Sequence, residues 1–206
     1  MLNADLRDRI AGRLSAFEPV EIADPDLRRA SVALVVADSS DGAPALLLTL
    51  RPARMGRHAG QYALPGGKVD PGETGREAAF RELHEELGLN LPPEALLGRL
   101  DDYPTRSGFR VSPFVLWAGA GAALTPAPDE VAKIFRIPFG ELDSDAIPLL
   151  QDGVEAGRPV LYSNFPTLGT EMYSPTASII YQFREVCLRG LSTRVAHYDQ
   201  PKFAWR

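Results

Sequence analysis

Glu82, Glu85 and Glu86 fall within five consecutive positions, in the run Arg81-Glu82-Leu83-His84-Glu85-Glu86-Leu87. Wound as a helix over 73–87 at about 100° per residue, the three carboxylates share an arc of about 100°. Phe80, Leu83 and Leu87 fall on a second stripe that can pack against a sheet and hold the acidic row at the edge of a core. A hard divalent ion suits such a row. Mg²⁺ and Mn²⁺ take oxygen ligands, usually a few carboxylates together with waters and phosphate oxygens. Left without a cation, packed carboxylates repel one another and their pKa values rise. The competing reading is a solvated helix face, because Glu77 with Arg81 and Arg81 with Glu85 have i,i+4 spacing.

The glycines upstream argue for a site. Pro65-Gly66-Gly67 reads as a tight turn bringing backbone close to a metal or phosphates, and Pro71-Gly72 as the loop entering the helix. Glu73 is expected at the positive helix N-terminus. Charge changes sign along the same stretch. From 51 to 69 the chain carries Arg51, Arg54, Arg57, His58 and Lys68 with no acid, whereas 70–86 has six acids against Arg76 and Arg81. A polyanion bound through a bridging cation needs both fields: Arg51, Arg54, Arg57 and Lys68, with the Gly66 and Gly67 backbone, for phosphates, and carboxylates for the metal.

The run 67–89, GKVDPGETGREAAFRELHEELGL, resembles the signature of the Nudix hydrolases at every fixed position. Those positions are Gly67, Glu73, Arg81, Glu82, Leu83, Glu85, Glu86, Gly88 and Leu89. The resemblance implies hydrolysis of a nucleoside diphosphate derivative with Mg²⁺ or Mn²⁺ held by Glu82, Glu86 and Glu85. It also implies orienting roles for Arg81 and Glu73. Glu85, Glu82 and Glu130, the last in a loop that could close over the site, are the candidate general bases. The implied fold is an α/β (α+β) protein, an α/β/α sandwich around a mixed β-sheet.

Beyond that signature the chain is similar to the coenzyme A pyrophosphatase branch. Leu47-Leu48-Thr49-Leu50-Arg51, Gly60 and Pro65-Gly66-Gly67 fall in its register. Pro52 and Gly56 depart, standing where serine or alanine and a second arginine are expected; Arg54 and Arg57 lie nearby. The implied substrate is coenzyme A or its acyl or oxidised forms, giving 3',5'-ADP and 4'-phosphopantetheine. The alternatives are ADP-ribose or another nucleotide sugar, to which Pro104, fifteen residues beyond Leu89, points, and a non-catalytic nucleotide sensor.

The elements that must position these groups are legible in outline. Helices are expected at 5–17, where Leu6, Ile10 and Leu14 recur, and at about 175–188. The runs 31–37 (SVALVVA) and 45–51 (ALLLTLR) read as buried strands joined by a turn, with further strands at 97–103, 109–118, near 131–137 and at 160–164. One domain over 1–206 is the default at this length. A net charge of −5 offers no general attraction for nucleic acid or an anionic membrane. No stretch is apolar enough to span a bilayer, and the N-terminus lacks a signal-like core, so a cytoplasmic location is expected. Cys187, the one cysteine, is expected in the core, and the tail 189–206 against the chain's own core or a second copy in a homodimer.

Overall fold

The computed structural model describes residues 1–53 and 60–205. An amphipathic helix α1 (Ala4–Ala16) precedes strands β1 (Arg28–Asp38), β2 (Pro44–Leu50), β3 (Tyr62–Ala63) and β4 (Gly66–Lys68). Helix α2 (Gly75–Leu87) follows, then β5 (Leu96–Arg99), β6 (Tyr103–Pro104), β7 (Phe109–Gly119), β8 (Lys133–Pro138) and a short α3 (Phe139–Leu142). The chain continues through β9 (Leu149–Gln151), β10 (Val160–Phe165), β11 (Thr170–Tyr173) and α4 (Thr176–Phe183).

The principal sheet runs β3-β2-β1-β7-β5, with β4 paired to β1, β6 to β7 and β8 to β2. β1 and β7 are parallel over most of their length, and the pairs around them are antiparallel, so the sheet is mixed. Both faces are covered, which explains why Val32 to Ala37 of β1 and Ala45 to Leu48 of β2 are apolar without interruption. Leu34, Val36, Leu46 and Leu48 point to the side of α1 and α4; Ala33, Val35, Ala37 and Leu47 meet Leu83 and Leu87 of α2 on the other. Leu83 and Leu87 are wholly buried, so truncating either to alanine removes about 2–5 kcal/mol of stability.

Four expectations are corrected in detail. The strand expected at 97–103 is split into β5 and β6, because Asp101 and Asp102 turn inward to accept from the Val20 and Ile22 backbone N–H groups. The strand expected near 131 begins at Lys133, since the Val131 N–H bonds back to the Ala127 carbonyl in a turn. α4 starts at Thr176 and at Arg184–Arg189 widens into a π-helical turn, with Arg13 of α1 donating to the Cys187 and Leu188 carbonyls there. A small sheet β11-β10-β9 adds two strands that the sequence reading did not contain.

Cys187 is buried, and burial pushes its thiol well above the ordinary range. The C-terminal segment packs on its own chain: Val195 is buried, the Tyr103 hydroxyl donates to the Tyr198 carbonyl at 2.8 Å, and Arg106 pairs with buried Asp199 at 2.9 Å. Among the described residues no helix is long and apolar enough to cross a membrane.

Candidate active site

α2 is fastened at both ends. Thr74 caps its N-terminus, its hydroxyl accepting from the Glu77 N–H at 3.2 Å while the Glu77 carboxylate accepts from the Thr74 N–H at 2.8 Å. Such a reciprocal box satisfies two of the donors that a helix start leaves open. Gly88 ends the helix in the left-handed conformation at φ 64°, where a side chain would be strained. Helix α2 therefore begins two residues later than its sequence suggests, and Glu73 stands before the cap rather than in the first turn.

Glu73 instead engages Arg81. The Arg81 guanidinium donates from Nε and Nη2 to the two Glu73 oxygens at 2.9 and 3.0 Å, and from Nη1 to Glu82 at 2.8 Å and Glu85 at 2.9 Å. Its Nη2 also reaches the Lys68 carbonyl at 3.0 Å, so one side chain ties β4, the entry loop and α2 together. These contacts hold Glu73 below the usual carboxylate range, chiefly through the Arg81 hydrogen bond.

β4 brings backbone against the carboxylates. Gly66 and Gly67 pair with Val32 and Ser31 of β1. A Cβ on Gly66 would lie 2.2 Å from the Ser31 carbonyl oxygen, and one on Gly67 would lie 2.3 Å from a Glu82 carboxylate oxygen. Gly66 admits no side chain, and one at Gly67 would push the Glu82 carboxylate from its place. The Gly66 N–H donates to Glu86 at 3.2 Å.

Glu82, Glu86 and Glu130 each contribute a carboxylate oxygen to a group lying within 4.8 Å of one another. Glu86 is buried, and burial pushes it up to about 8, opposed by the Arg51 charge and the Gly66 N–H. Burial also raises Glu82, against the pull of Arg81. Glu85 lies outside this group: its carboxylate, half-exposed, is drawn outward to Arg81. The structure thus joins Glu82 and Glu86 to Glu130 across the cleft, whereas the sequence reading placed Glu85 beside them.

The three glutamates open into a cavity of about 450 Å³, which Arg51, Gly66, Gly67 and Lys68 also line. Arg54 and Arg57, the other expected phosphate contacts, lie outside the described residues, as do Gly56 and His58. The far wall was missing from the sequence reading. It comprises Phe109 with the Arg28 guanidinium stacked 3.9 Å from its ring centroid, Ile179 of α4 and Gln200 of the tail. These residues are distant in sequence and share no motif, so no local signal links them. All three converging donors are carboxylate oxygens, a set that fits Mg²⁺ or Mn²⁺ and disfavours softer metals.

The chain is 33% identical over 146 residues to Nudix hydrolase 3 of Caenorhabditis elegans, a match covering 67% of this chain and 61% of that protein. It is 44% identical over 103 residues to the uncharacterized Nudix hydrolase NudL of Pectobacterium atrosepticum, covering 48% of this chain and 52% of that one. The chain thus spans between half and two thirds of the length of these two relatives. Among solved structures, a bifunctional NMN adenylyltransferase/ADP ribose pyrophosphatase from Francisella tularensis matches 89% of this chain and 47% of its own, at a TM-score of 0.53 and 21% identity, a likeness of fold. The NUDIX domain matches residues 27–161, a stretch that holds the glycine turn, α2 and the three converging glutamates, and the chain belongs to that family.

Proposed function

We propose that the protein is a metal-dependent pyrophosphohydrolase that cleaves the diphosphate linkage of a nucleoside diphosphate derivative. The observation that carries this reading is the convergence of Glu82, Glu86 and Glu130 within 4.8 Å, in the cavity that Arg51 and Lys68 also line. Mg²⁺ or Mn²⁺ bound at Glu82 and Glu86 would neutralise diphosphate oxygens and lower the pKa of a coordinated water. Glu82 and Glu86 serve as ligands, held in place by Arg81 and the Gly66 N–H respectively. Glu130, reaching the same point from the loop before β8, accepts the proton of the attacking water. Arg51, Lys68 and the glycine backbone orient the phosphates for in-line displacement, in which a new P–O bond forms as the bridging P–O bond breaks. Glu85 and Glu73 act through Arg81, as positioning residues.

Coenzyme A is the substrate we favour, because Leu47–Arg51, Gly60 and Pro65–Gly67 resemble the corresponding run of that branch. The competing substrate is ADP-ribose, towards which the placement of Pro104 points. A panel of coenzyme A, ADP-ribose, NADH and damaged nucleoside triphosphates at fixed Mg²⁺ or Mn²⁺, with products identified by mass, tests both. Release of 3',5'-ADP and 4'-phosphopantetheine is expected. Turnover of ADP-ribose with none of coenzyme A overturns the substrate, and no turnover of any diphosphate overturns the reaction.

A further inference from the structure

The catalytic cavity continues past its own rim. Gln61, Tyr62, Pro175 and Thr176 line it and also line a second depression of about 260 Å³, so the two form one groove bent over the start of α4. This second depression is made by β11 and the tail. Met172 is buried there, and Tyr173 and Phe203 stand beside it. The Tyr173 ring is held in place, stacked on Tyr162 at a centroid distance of 5.3 Å and meeting Phe203 edge-on at 5.4 Å. Its hydroxyl donates to Glu171 at 2.5 Å. Phe203 is nonetheless 58% exposed. One exposed aromatic means little alone; an anchored pair in a concavity adjoining a reaction centre offers stacking area to a ligand.

Charge separates the two depressions. The first is lined by Arg28, Arg51 and Lys68, the second by no described Lys or Arg and by the carboxylate of Glu171. A disubstituted diphosphate has two esterified ends; with its phosphorus atoms at the glutamates, the wall of Phe109 and Ile179 is open to one end and the shared rim to the other. We propose that the depression beside Tyr173 and Phe203 is the subsite for the group esterified to the second phosphate, and that it selects an uncharged group with apolar surface. This inference rests on the diphosphate reading above. It also locates selectivity outside the stretch 27–161 that defines the family, since Thr170–Tyr173 and Phe203 lie beyond it.

The test uses three esters of adenosine diphosphate, the methyl, benzyl and 4-carboxybenzyl, assayed on the full chain with Mg²⁺ or Mn²⁺. The benzyl ester should exceed the methyl ester in kcat/KM by at least about tenfold, through KM, and the carboxybenzyl ester should lose that gain. Tyr173→Ala and Phe203→Ala should abolish the gain while leaving methyl-ester turnover unchanged, which also shows that the variants fold; Phe203→Tyr should keep it. A benzyl-to-methyl ratio near one in the wild type, or one unchanged in both alanine variants, overturns the subsite alone. Absence of turnover on all three esters while coenzyme A or ADP-ribose is hydrolysed overturns the subsite, and absence of turnover on every diphosphate overturns the diphosphate reading and the subsite with it.

Discussion

Glu86, Asp101 and Asp102 are equally buried, each with 3% of its surface exposed, yet they are treated in opposite ways. Asp101 accepts from the Val20 N–H at 2.7 Å, from Arg194 at 2.5 Å and from Gln182 at 2.6 Å. Asp102 accepts from the Ile22 N–H at 3.0 Å, from Arg99 at 2.5 Å and from the Ser112 hydroxyl at 2.7 Å, with Arg110 beyond. Glu86 has the Gly66 N–H at 3.2 Å among the described residues, and faces two further carboxylates. Desolvating a carboxylate costs several kcal/mol and must be offset by positive charge or donors. The aspartates meet that requirement from within the chain. On the function proposed above, the glutamates would meet it with a bound cation.

That contrast can be broken by removing one acid from each cluster. Asp102→Ala should cost about 3–5 kcal/mol in denaturant unfolding, because it leaves the Ile22 N–H and the Ser112 hydroxyl without this acceptor and takes the more buried of two carboxylates from Arg99. Metal-dependent turnover per folded molecule should survive. Glu86→Gln should do the reverse: turnover falls by at least about 100-fold, roughly 2.7 kcal/mol, while stability holds or rises. The amide oxygen of Gln can still accept from Gly66, and a carboxyl that burial already pushes up to about 8 loses little when it is made permanently neutral. A stability loss in Glu86→Gln as large as that in Asp102→Ala would show both clusters to be structural.

Metal binding sharpens the same comparison without relying on catalysis. A cation bound to the folded state at a hundred times its Kd adds about 2.7 kcal/mol of stability. Added Mg²⁺ or Mn²⁺ should therefore raise the melting temperature of the wild type, and a chelator should reverse it. Asp101→Asn should start lower and show the same increment; Glu86→Gln should show little. An increment that persists in Glu86→Gln would place the cation elsewhere.

The glutamate side of this comparison was far more legible in the sequence than the aspartate side. Glu82 and Glu86 lie one helical turn apart between apolar residues, so a single local pattern places them. The glycine turn carries its own signal, because Gly67 must let Glu82 approach the backbone. Glu130, more than forty residues away, reads in the sequence as a candidate base in a loop, and the fold brings it to the other two. Asp101 and Asp102 sit inside what reads as one strand; the donors that turn them inward come from 20–22 and from Arg194, at distant points of the chain. The strand Leu149–Gln151 is exposed along its whole length, so no alternation marked it. The π-helical turn at Arg184–Arg189 is sustained by Arg13 of another helix, and propensity within the segment carries no trace of that partner.

Glu85 stands between the two regimes and gives the smallest effect. It belongs by sequence to the acidic row, but its carboxylate is half-exposed and already paired with Arg81 at 2.9 Å. Arg81 keeps its contacts to Glu73 and Glu82 when Glu85 is neutralised, so the geometry of the ligands should change little. Glu85→Gln should accordingly lower kcat/KM by less than about tenfold, below the range for losing an outer partner of a metal site. Its Mg²⁺-induced thermal shift should match that of the wild type. A 100-fold loss together with a lost shift would mean that Glu85 leaves Arg81 when metal and substrate bind, and would return it to the ligand set beside Glu82 and Glu86.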